Sequence, residues 1–544
     1  MSVRSNIIFS SKVGFPAWRL YKAKKTMREV VEMLNYAVMV LLCVFIICAL
    51  VRALTDKGPM LWPVLGTIPT AVFHGDDIYD WLTETLDRCG GKFAFRGLWM
   101  SGVHGVVTRD PSDVECILKT RFHNYLKGKF YTERFYDLLG DGIFNTDGEK
   151  WKDQRQIATR AMNSNRFLSH AFQATEDLLH KKMLPLLDHF ANSGEAVDLQ
   201  EVLLRLTFDM TCRTGFDADP GYLDLNLPDA PVAKAFEDAN LVIQYRFLVP
   251  PLIWKLMKFF SVGSERTLKD AAGLAREFAE KIATDRTNEY KKLGELKGRD
   301  DILSRLIEIK YSGEQGMEDK FSAKYLQDFM LSFVVAGRDT TSASLSWFFW
   351  LIHKHPVVEN RILCEINQII KDREFEEECL YSTEFRVNEL EKMVYLQAAL
   401  SESLRLYPAI PVNLKEVQHD DVLPDGTPIT KGSQMIFCVY ATARDEEIWG
   451  KDCREFRPER WIKDGKFVRE NEFKYAVFNA GPRLCLGKKL AYMQMKMVAA
   501  TILSKYSIKV VEGHPVVPKL TISLYMKHGL LTTIRHRSIP KPCQ

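Results

Sequence analysis

The sequence predicts a mainly α-helical fold with a minor β portion, carried behind a single N-terminal transmembrane anchor. Three observations predict it. Residues Met33 to Val51 contain no charged side chain. From about residue 75 the apolar positions recur mostly at helical spacing. Only short runs, Val103 to Thr108, Gln434 to Tyr440 and Ser507 to Val511, read as strands. With no internal repeat, residues 75–544 read as one large domain.

The anchor comes first. Nineteen uncharged residues make a helix of roughly 28 Å, about the thickness of a bilayer's hydrocarbon core. The plain alternative is a buried core helix. Position near the terminus favours an anchor at 33–54, and no small-residue cleavage signature follows it. Residues 1–32 form a basic tail in which Arg4, Lys12, Arg19, Lys22, Lys24, Lys25 and Arg28 precede the first acid, Glu29. Positive charge there argues for a cytosolic N-terminus. A Ser-containing, acid-poor tail also fits an organelle-targeting segment, so the sequence leaves orientation open. Residues 55–74, with Gly58-Pro59, Pro63, Gly66 and Pro69, read as a stiff linker.

Composition bounds the function. Of 544 residues, 46% are hydrophobic, enough for a large core. Lys and Arg number 74 against 70 Asp and Glu, and no basic stripe carries interleaved aromatics, so no nucleic-acid partner is expected. Eleven cysteines show no CxxC spacing, which argues against a zinc site or a disulfide framework and for a domain facing a reducing compartment. The acidic patch Glu374 to Glu378 is the one low-complexity stretch. Phe247 to Phe260 (FLVPPLIWKLMKFF) is broken by Pro250 and Pro251, so it is too short to cross a membrane. It is either core or a surface that dips into the bilayer, with Lys255 and Lys258 at headgroup level.

The chemistry-bearing segment is Phe478 to Lys488, FNAGPRLCLGK. Gly481, Pro482 and Gly487 make a tight loop around Cys485, and a helical pattern begins at about Leu486. That puts Cys485 at a helix N-terminus, where free N–H groups stabilise a thiolate. A thiolate is the axial ligand that equips a haem iron to cleave an O–O bond. Phe478 is placed to shield the sulfur and Arg483 to pair with a propionate. A phosphate loop is the rival reading. Five residues rather than four separate Gly481 from Gly487, and Lys489 stands where a hydroxyl is required.

Three further segments add to it. Ala336-Gly337-Arg338-Asp339-Thr340-Thr341 lies inside a helical pattern from about Ser322 to His355, stopped by Pro356. Gly337 costs about 1 kcal/mol in a helix interior, so something approaches that backbone. Asp339 and Thr340 offer an acid and a hydroxyl for proton delivery. The alternative for Thr340 is a bond to the carbonyl one turn back. Glu402 and Arg405 share a helix face, and Arg460 is placed to complete a Glu–Arg–Arg cluster. Trp151 and Arg155 lie one turn apart and both fit a propionate.

WxxxR, AGxDTT, ExxR, PER and FxxGxRxCxG thus follow one another along one chain. In that order they resemble the cytochrome P450 superfamily over about residues 58 to 530. The resemblance implies a helical prism fold, haem as cofactor with Cys485 as its iron ligand, O2 as co-substrate and NADPH–cytochrome P450 reductase as electron donor. It also implies an endoplasmic reticulum membrane location with a cytosolic catalytic domain; the tail leaves the plastid envelope as the alternative. The segments 138–155, 345–356, 448–461 and 524–530 are similar to the plant fatty-acid ω-hydroxylases. That implies oxidation of the terminal methyl of a long-chain fatty acid, feeding cutin or suberin monomers. Asn413 departs from the acid usual in that subgroup. The expected acyl pocket draws on aromatics between Phe122 and Tyr136, with Lys127, Lys129 or Arg134 for the carboxylate. Ala409, Ile410, Val412 and Leu524 are expected to form the constriction. Alternatives are another apolar substrate (alkane, oxylipin), a haem-thiolate isomerase or dehydratase, and a non-catalytic haem carrier. The Asp339-Thr340 pair argues against the last two.

Overall fold

The computed structural model describes residues 15–55, 58–62, 64–98, 102–312, 320–373 and 384–537. Arg4 and Lys12 of the tail, Lys57 and Pro63 of the linker, and the acidic patch lie outside them. Helix α1 spans Phe15–Thr55 without a break, so the expected boundary at residue 32 is not a structural one. No Pro or Gly falls between Pro16 and Gly58, and nothing in that stretch interrupts the hydrogen-bond ladder. Within α1, Lys24–Ile47 is long and apolar enough to cross a membrane and is 0% buried against the rest of the protein.

The catalytic domain is built mainly on α2 (Gly128–Leu139), α3 (Gly148–Met162), α4 (Leu199–Phe216), α5 (Pro231–Leu248), α6 (Pro251–Phe260), α7 (Ser264–Leu293), α8 (Ala323–Lys354), α9 (Val394–Leu406) and α10 (Lys488–Lys505). The long helix α8 falls where its signals put it. The Ser322 side chain accepts from the Tyr325 N–H at the start, and Pro356 opens the next helix. A five-stranded sheet packs beside the helices: β1 (Lys92–Arg96), β2 (His104–Thr108), β3 (Tyr125–Leu126), β4 (Val412–Val417) and β5 (Gln434–Cys438), in the order β1-β2-β5-β4-β3. Only β2 and β5 run parallel. The run expected to reach Tyr440 as strand turns helical at Val439.

Helix α8 joins two hydrophobic cores. Its residues Leu326, Phe329 to Leu331 and Val334 belong to a core shared with α2, α4, α5 and α7. Its residues Leu345 and Trp347 to Phe349 belong to a second core shared with α9 and α10. The stretch between, around Thr340, belongs to neither and borders a cavity. Cys116, Cys212, Cys438 and Cys453 are buried free thiols, as small hydrophobes in a core should be. Cys364 departs from that expectation, being disulfide-bonded.

The Phe247 to Phe260 run resolves into both of its readings. Trp254 is only 4% exposed and lies under Arg246, whose guanidinium carbon is 4.5 Å from the ring centroid. The rest of α6 turns outward: Leu252, Ile253, Leu256, Phe259 and Phe260 are all exposed. Pro251 starts α6 just after α5 ends, and that break frees the helix to turn an apolar face out. The face suits a bilayer, each large apolar side chain contributing about 1.5–3 kcal/mol when buried. Deleting residues 1–54 should therefore leave a fraction of the protein on membranes. Replacing Leu252, Phe259 and Phe260 by serine should release that fraction in a sedimentation assay. A truncated protein that is wholly soluble at low salt would assign this face to something other than lipid.

Candidate active site

The cysteine loop is set by backbone geometry. Gly481 has φ +60°, and a Cβ there would lie 2.3 Å from the Leu118 carbonyl oxygen, so only glycine fits. The Cys485 N–H donates to the Phe478 carbonyl at 2.8 Å, closing the loop on itself. Helix α10 begins at Lys488 with Gly487 as N-cap, two residues later than the sequence pattern suggests. Gly487 has room around it, its nearest neighbours being Met162 and the Cys485 sulfur. Cys485 is exposed toward a cavity of about 670 Å³, which Phe478, Arg155, Trp151, Ala336, Gly337 and Thr340 also line. Burial pushes its thiol up, while the Gly487 N–H and the charges of Arg155 and Lys488 pull it down.

On the opposite wall, Thr340 Oγ1 donates to the Ala336 carbonyl at 2.6 Å. This is the bond one turn back, and it coexists with a place on the cavity wall. Gly337 is explained by a neighbouring helix: a Cβ there would sit 2.6 Å from Thr211 Oγ1 of α4. Asp339 is a correction. It does not line the cavity; it is 1% exposed, accepts from Asn240 Nδ2 at 2.6 Å and pairs with Arg338 Nη1 at 2.8 Å. Burial raises its carboxyl, with Arg338 opposing. One residue along a helix turns a side chain by about 100°, so Asp339 and Thr340 cannot share a face.

Cations gather at one side of the cavity. Arg483 stacks over Trp151 with its guanidinium carbon 4.4 Å from the ring centroid and pairs with Asp147 at 2.5 Å. Arg155 donates to the Leu484 carbonyl. Lys127 lies over the Tyr131 ring at 3.9 Å, its pKa lowered to about 7 by burial and then by Arg483. Lys415, 1% exposed on β4, has a buried Nζ without a hydrogen-bond partner, and the Arg483 Nε is likewise unpartnered. Burial and the neighbouring Lys127 hold Lys415 well below the usual lysine range. Asp147 alone stands against these charges. The set fits the two propionates of haem, which would supply the missing anions. Lys127, expected as a candidate for the substrate carboxylate, lies near Arg483 and Asp147. Lys415 was missed, although it lies two residues beyond Asn413 and so on the same strand face.

Behind the site, Glu402 ties three elements together. Its two oxygens accept from Arg405 Nε and Nη2, each at 2.8 Å, from Arg460 Nε at 3.3 Å, from Trp461 Nε1 at 2.9 Å and from the Arg457 N–H at 3.2 Å. The expected Glu402–Arg405–Arg460 cluster is therefore present, with Glu402 and Arg405 buried and Arg460 half-buried. Of the expected constriction, Ala409, Ile410 and Val412 line the cavity. Leu524 does not; it is core, its N–H bonded to the Ala409 carbonyl. Ile522 and Ser523 line the cavity in its place.

Known proteins agree with this geometry. Cytochrome P450 86B1 of Arabidopsis thaliana is 45% identical over 506 residues, 92% of this chain and 90% of that protein. Alkane hydroxylase MAH1 of the same plant is 36% identical over 501 residues, 90% and 97% of the two chains. Noroxomaritidine synthase 2 of Narcissus aff. pseudonarcissus MK-2014 is 36% identical over 491 residues, 89% and 92%. The sequence model of the cytochrome P450 family matches residues 57–534. With a cavity-facing thiol, an anion-seeking cation cluster and a match over nearly its whole length, this chain belongs to the cytochrome P450 family and is a haem-thiolate monooxygenase.

Proposed function

We propose that the protein hydroxylates the terminal (ω) carbon of long-chain or very-long-chain fatty acids. It uses O2 and NADPH-derived electrons delivered by NADPH–cytochrome P450 reductase at the endoplasmic reticulum membrane. One observation carries the reading: the cavity that Cys485 faces is walled mainly by aromatic and aliphatic side chains, among them Phe130, Phe135, Phe247, Phe333 and Ile410. Such walls suit a flexible acyl chain, each buried CH2 contributing about 0.8 kcal/mol. The ω-hydroxylase-like segments support it, and so does likeness to a protein named as an alkane hydroxylase, whose substrate is by name an apolar hydrocarbon. A relative named for a noroxomaritidine synthase is as similar, so identity at this level does not choose the substrate, and the apolar cavity is what supports the acyl reading.

The chain's own residues divide the work. Cys485 would ligate the iron, and Lys127, Arg155, Lys415 and Arg483 would hold the propionates. Haem bound there would supply the oxidising chemistry, which a thiolate ligand favours. Thr340 is the hydroxyl that handles protons at the cavity wall, while Asp339, tied to Arg338 and Asn240, fixes α8 against α5. Ala409, Ile410 and Val412 narrow the cavity and favour the methyl over the weaker methylene C–H bonds beside it.

The test is to incubate microsomes holding this protein and a reductase with fatty acids, alkanes and a rigid ring substrate. The expected product is the ω-hydroxy acid. Turnover of the ring compound alone would overturn the acyl reading. In the same assay Thr340→Ala should leave haem and substrate binding in place. It should lower product formed per NADPH by about 10-fold or more, with peroxide released instead. Unchanged coupling would reduce Thr340 to its bond with Ala336.

A further inference from the structure

Like Lys127 and Arg155, Arg134 lines the cavity wall without an ion pair to any acid among the described residues. Arg134, on α2, is 2% exposed and lines the cavity beside Phe130 and Phe247. Its Nε donates to the Arg246 carbonyl at 2.9 Å and its Nη1 to the Phe130 carbonyl at 2.5 Å. The guanidinium carbon lies 3.6 Å from the Phe130 ring centroid and 5.2 Å from that of Phe247. All these partners are neutral. They satisfy N–H groups but do not neutralise the charge; the neighbouring Glu133 favours it without forming an ion pair, and among the described residues Nη2 finds no acceptor.

The adjacent arginine shows what a compensated site looks like here. Arg246, also buried, is held by Glu265 through Nε at 2.9 Å and Nη2 at 2.5 Å, and by Asp137 at 2.7 Å. Glu133, next to Arg134 in sequence, is used at the surface by Lys255 at 2.7 Å and Lys129 at 3.4 Å. Among the described residues none makes an ion pair with Arg134. Burial lowers its pKa to about 10, which still leaves it charged at neutral pH. An uncompensated charge in an apolar wall is costly unless a ligand supplies the opposite one.

We propose that Arg134 is the anchor for the substrate's carboxylate, with its free Nη2 and its charge directed to the acid head group. The inference rests on the fatty-acid reading above and deepens it. Lys129 is engaged by Glu133, and Lys127 lies with the cations suited to propionates, which leaves Arg134 of the three basic residues on this segment. It sits by the α5–α6 junction, where Val249, Pro250 and Pro251 line the cavity; Thr340 and Cys485 line it from other elements. A head group held at Arg134 leaves the far end of the chain free to reach Cys485, which is the condition for ω rather than carboxyl-end attack. The planar guanidinium would favour acids over alkanes, alcohols or esters of equal length.

The experiment uses the full-length holoenzyme and the spectral shift that a bound substrate induces in the haem. Hexadecanoic acid, its methyl ester and hexadecanol are titrated into the native protein and into Arg134→Gln and Arg134→Lys. A charge-assisted pair in a buried site corresponds to about a 10–100-fold change in Kd. The native protein should bind the acid tighter than the ester or alcohol by that factor. Arg134→Gln should lose that margin for the acid alone, Arg134→Lys should regain part of it, and the neutral probes should bind all three proteins alike. Equal binding of acid and ester by the native protein overturns the anchor without any variant having to fold. So does a loss in Arg134→Gln that falls equally on all probes. In either case formation of the ω-hydroxy product would leave the fatty-acid reading standing. Failure of the native protein to bind any of the three overturns both.

Discussion

Cys485→Ser is expected to abolish the red-shifted carbon monoxide difference band and to cut monooxygenase turnover by about 1,000-fold or more, equivalent to about 4 kcal/mol of lost transition-state stabilisation. The serine is nearly isosteric, and the loop does not depend on the sulfur. It is closed by the bond from the residue-485 N–H to the Phe478 carbonyl and by Gly481 against Leu118. The fold should therefore survive, with an unchanged circular dichroism spectrum. What is lost is the ligand, because a hydroxyl does not supply the electron-rich thiolate that this chemistry requires. Among the described cysteines only Cys485 lines the cavity: Cys116, Cys212, Cys438 and Cys453 are sealed in the cores, and Cys43 and Cys89 lie away from it. Retention of the band in the variant would sink the ligand assignment outright. Loss of the band together with loss of the dichroism spectrum would show that the loop needs the sulfur after all.

The features legible in the sequence are those specified by short segments. Helix α8 carries both its cap and its stop within a few residues of its ends, and it forms within one residue of the expected span. The cysteine loop is legible because glycine and proline fix its backbone locally. Glu402 and Arg405 are three residues apart on one helix, so their pairing is nearly forced. What escaped the sequence depends on which distant element faces a given side chain. Gly337 marks a close approach, and the structure shows Thr211 of α4 as a partner on one side while the residue also lines the cavity. Asp339 is next to Thr340 in sequence yet faces Arg338 and Asn240 rather than the cavity, because one residue turns a helix by about 100°. Trp254 sits in an outward-facing apolar run and nevertheless turns inward under Arg246. Lys415 needed the register of β4 against β5 before its burial could be seen. Each of these is a matter of facing, which periodicity narrows to a side but does not assign to a neighbour.

The same distinction separates the active wall from the framework behind it, and Glu402 tests the framework. Glu402→Gln is expected to destabilise the protein by about 3–5 kcal/mol, because it leaves a buried arginine without its counter-charge. Arg405 is 1% exposed, and after the change it keeps one amide oxygen and the carbonyls of Ala443, Cys453 and Glu455, all neutral. Those carbonyls orient the guanidinium but do not neutralise it. Arg460 suffers less, since it keeps Asp452 at 3.2 Å. Against a total stability of about 5–15 kcal/mol, a loss of this size should show as poor yield of haem-loaded protein and an earlier thermal loss of the carbon monoxide band. Turnover per loaded molecule should change little, because Glu402 does not border the cavity. A paired replacement, Glu402→Leu with Arg405→Met, should recover part of the loss by removing both charges at once. Two results would break this account. One is a Glu402→Gln protein as stable as the native one. The other is a variant of full stability but slow turnover, which would move Glu402 from the framework into the reaction.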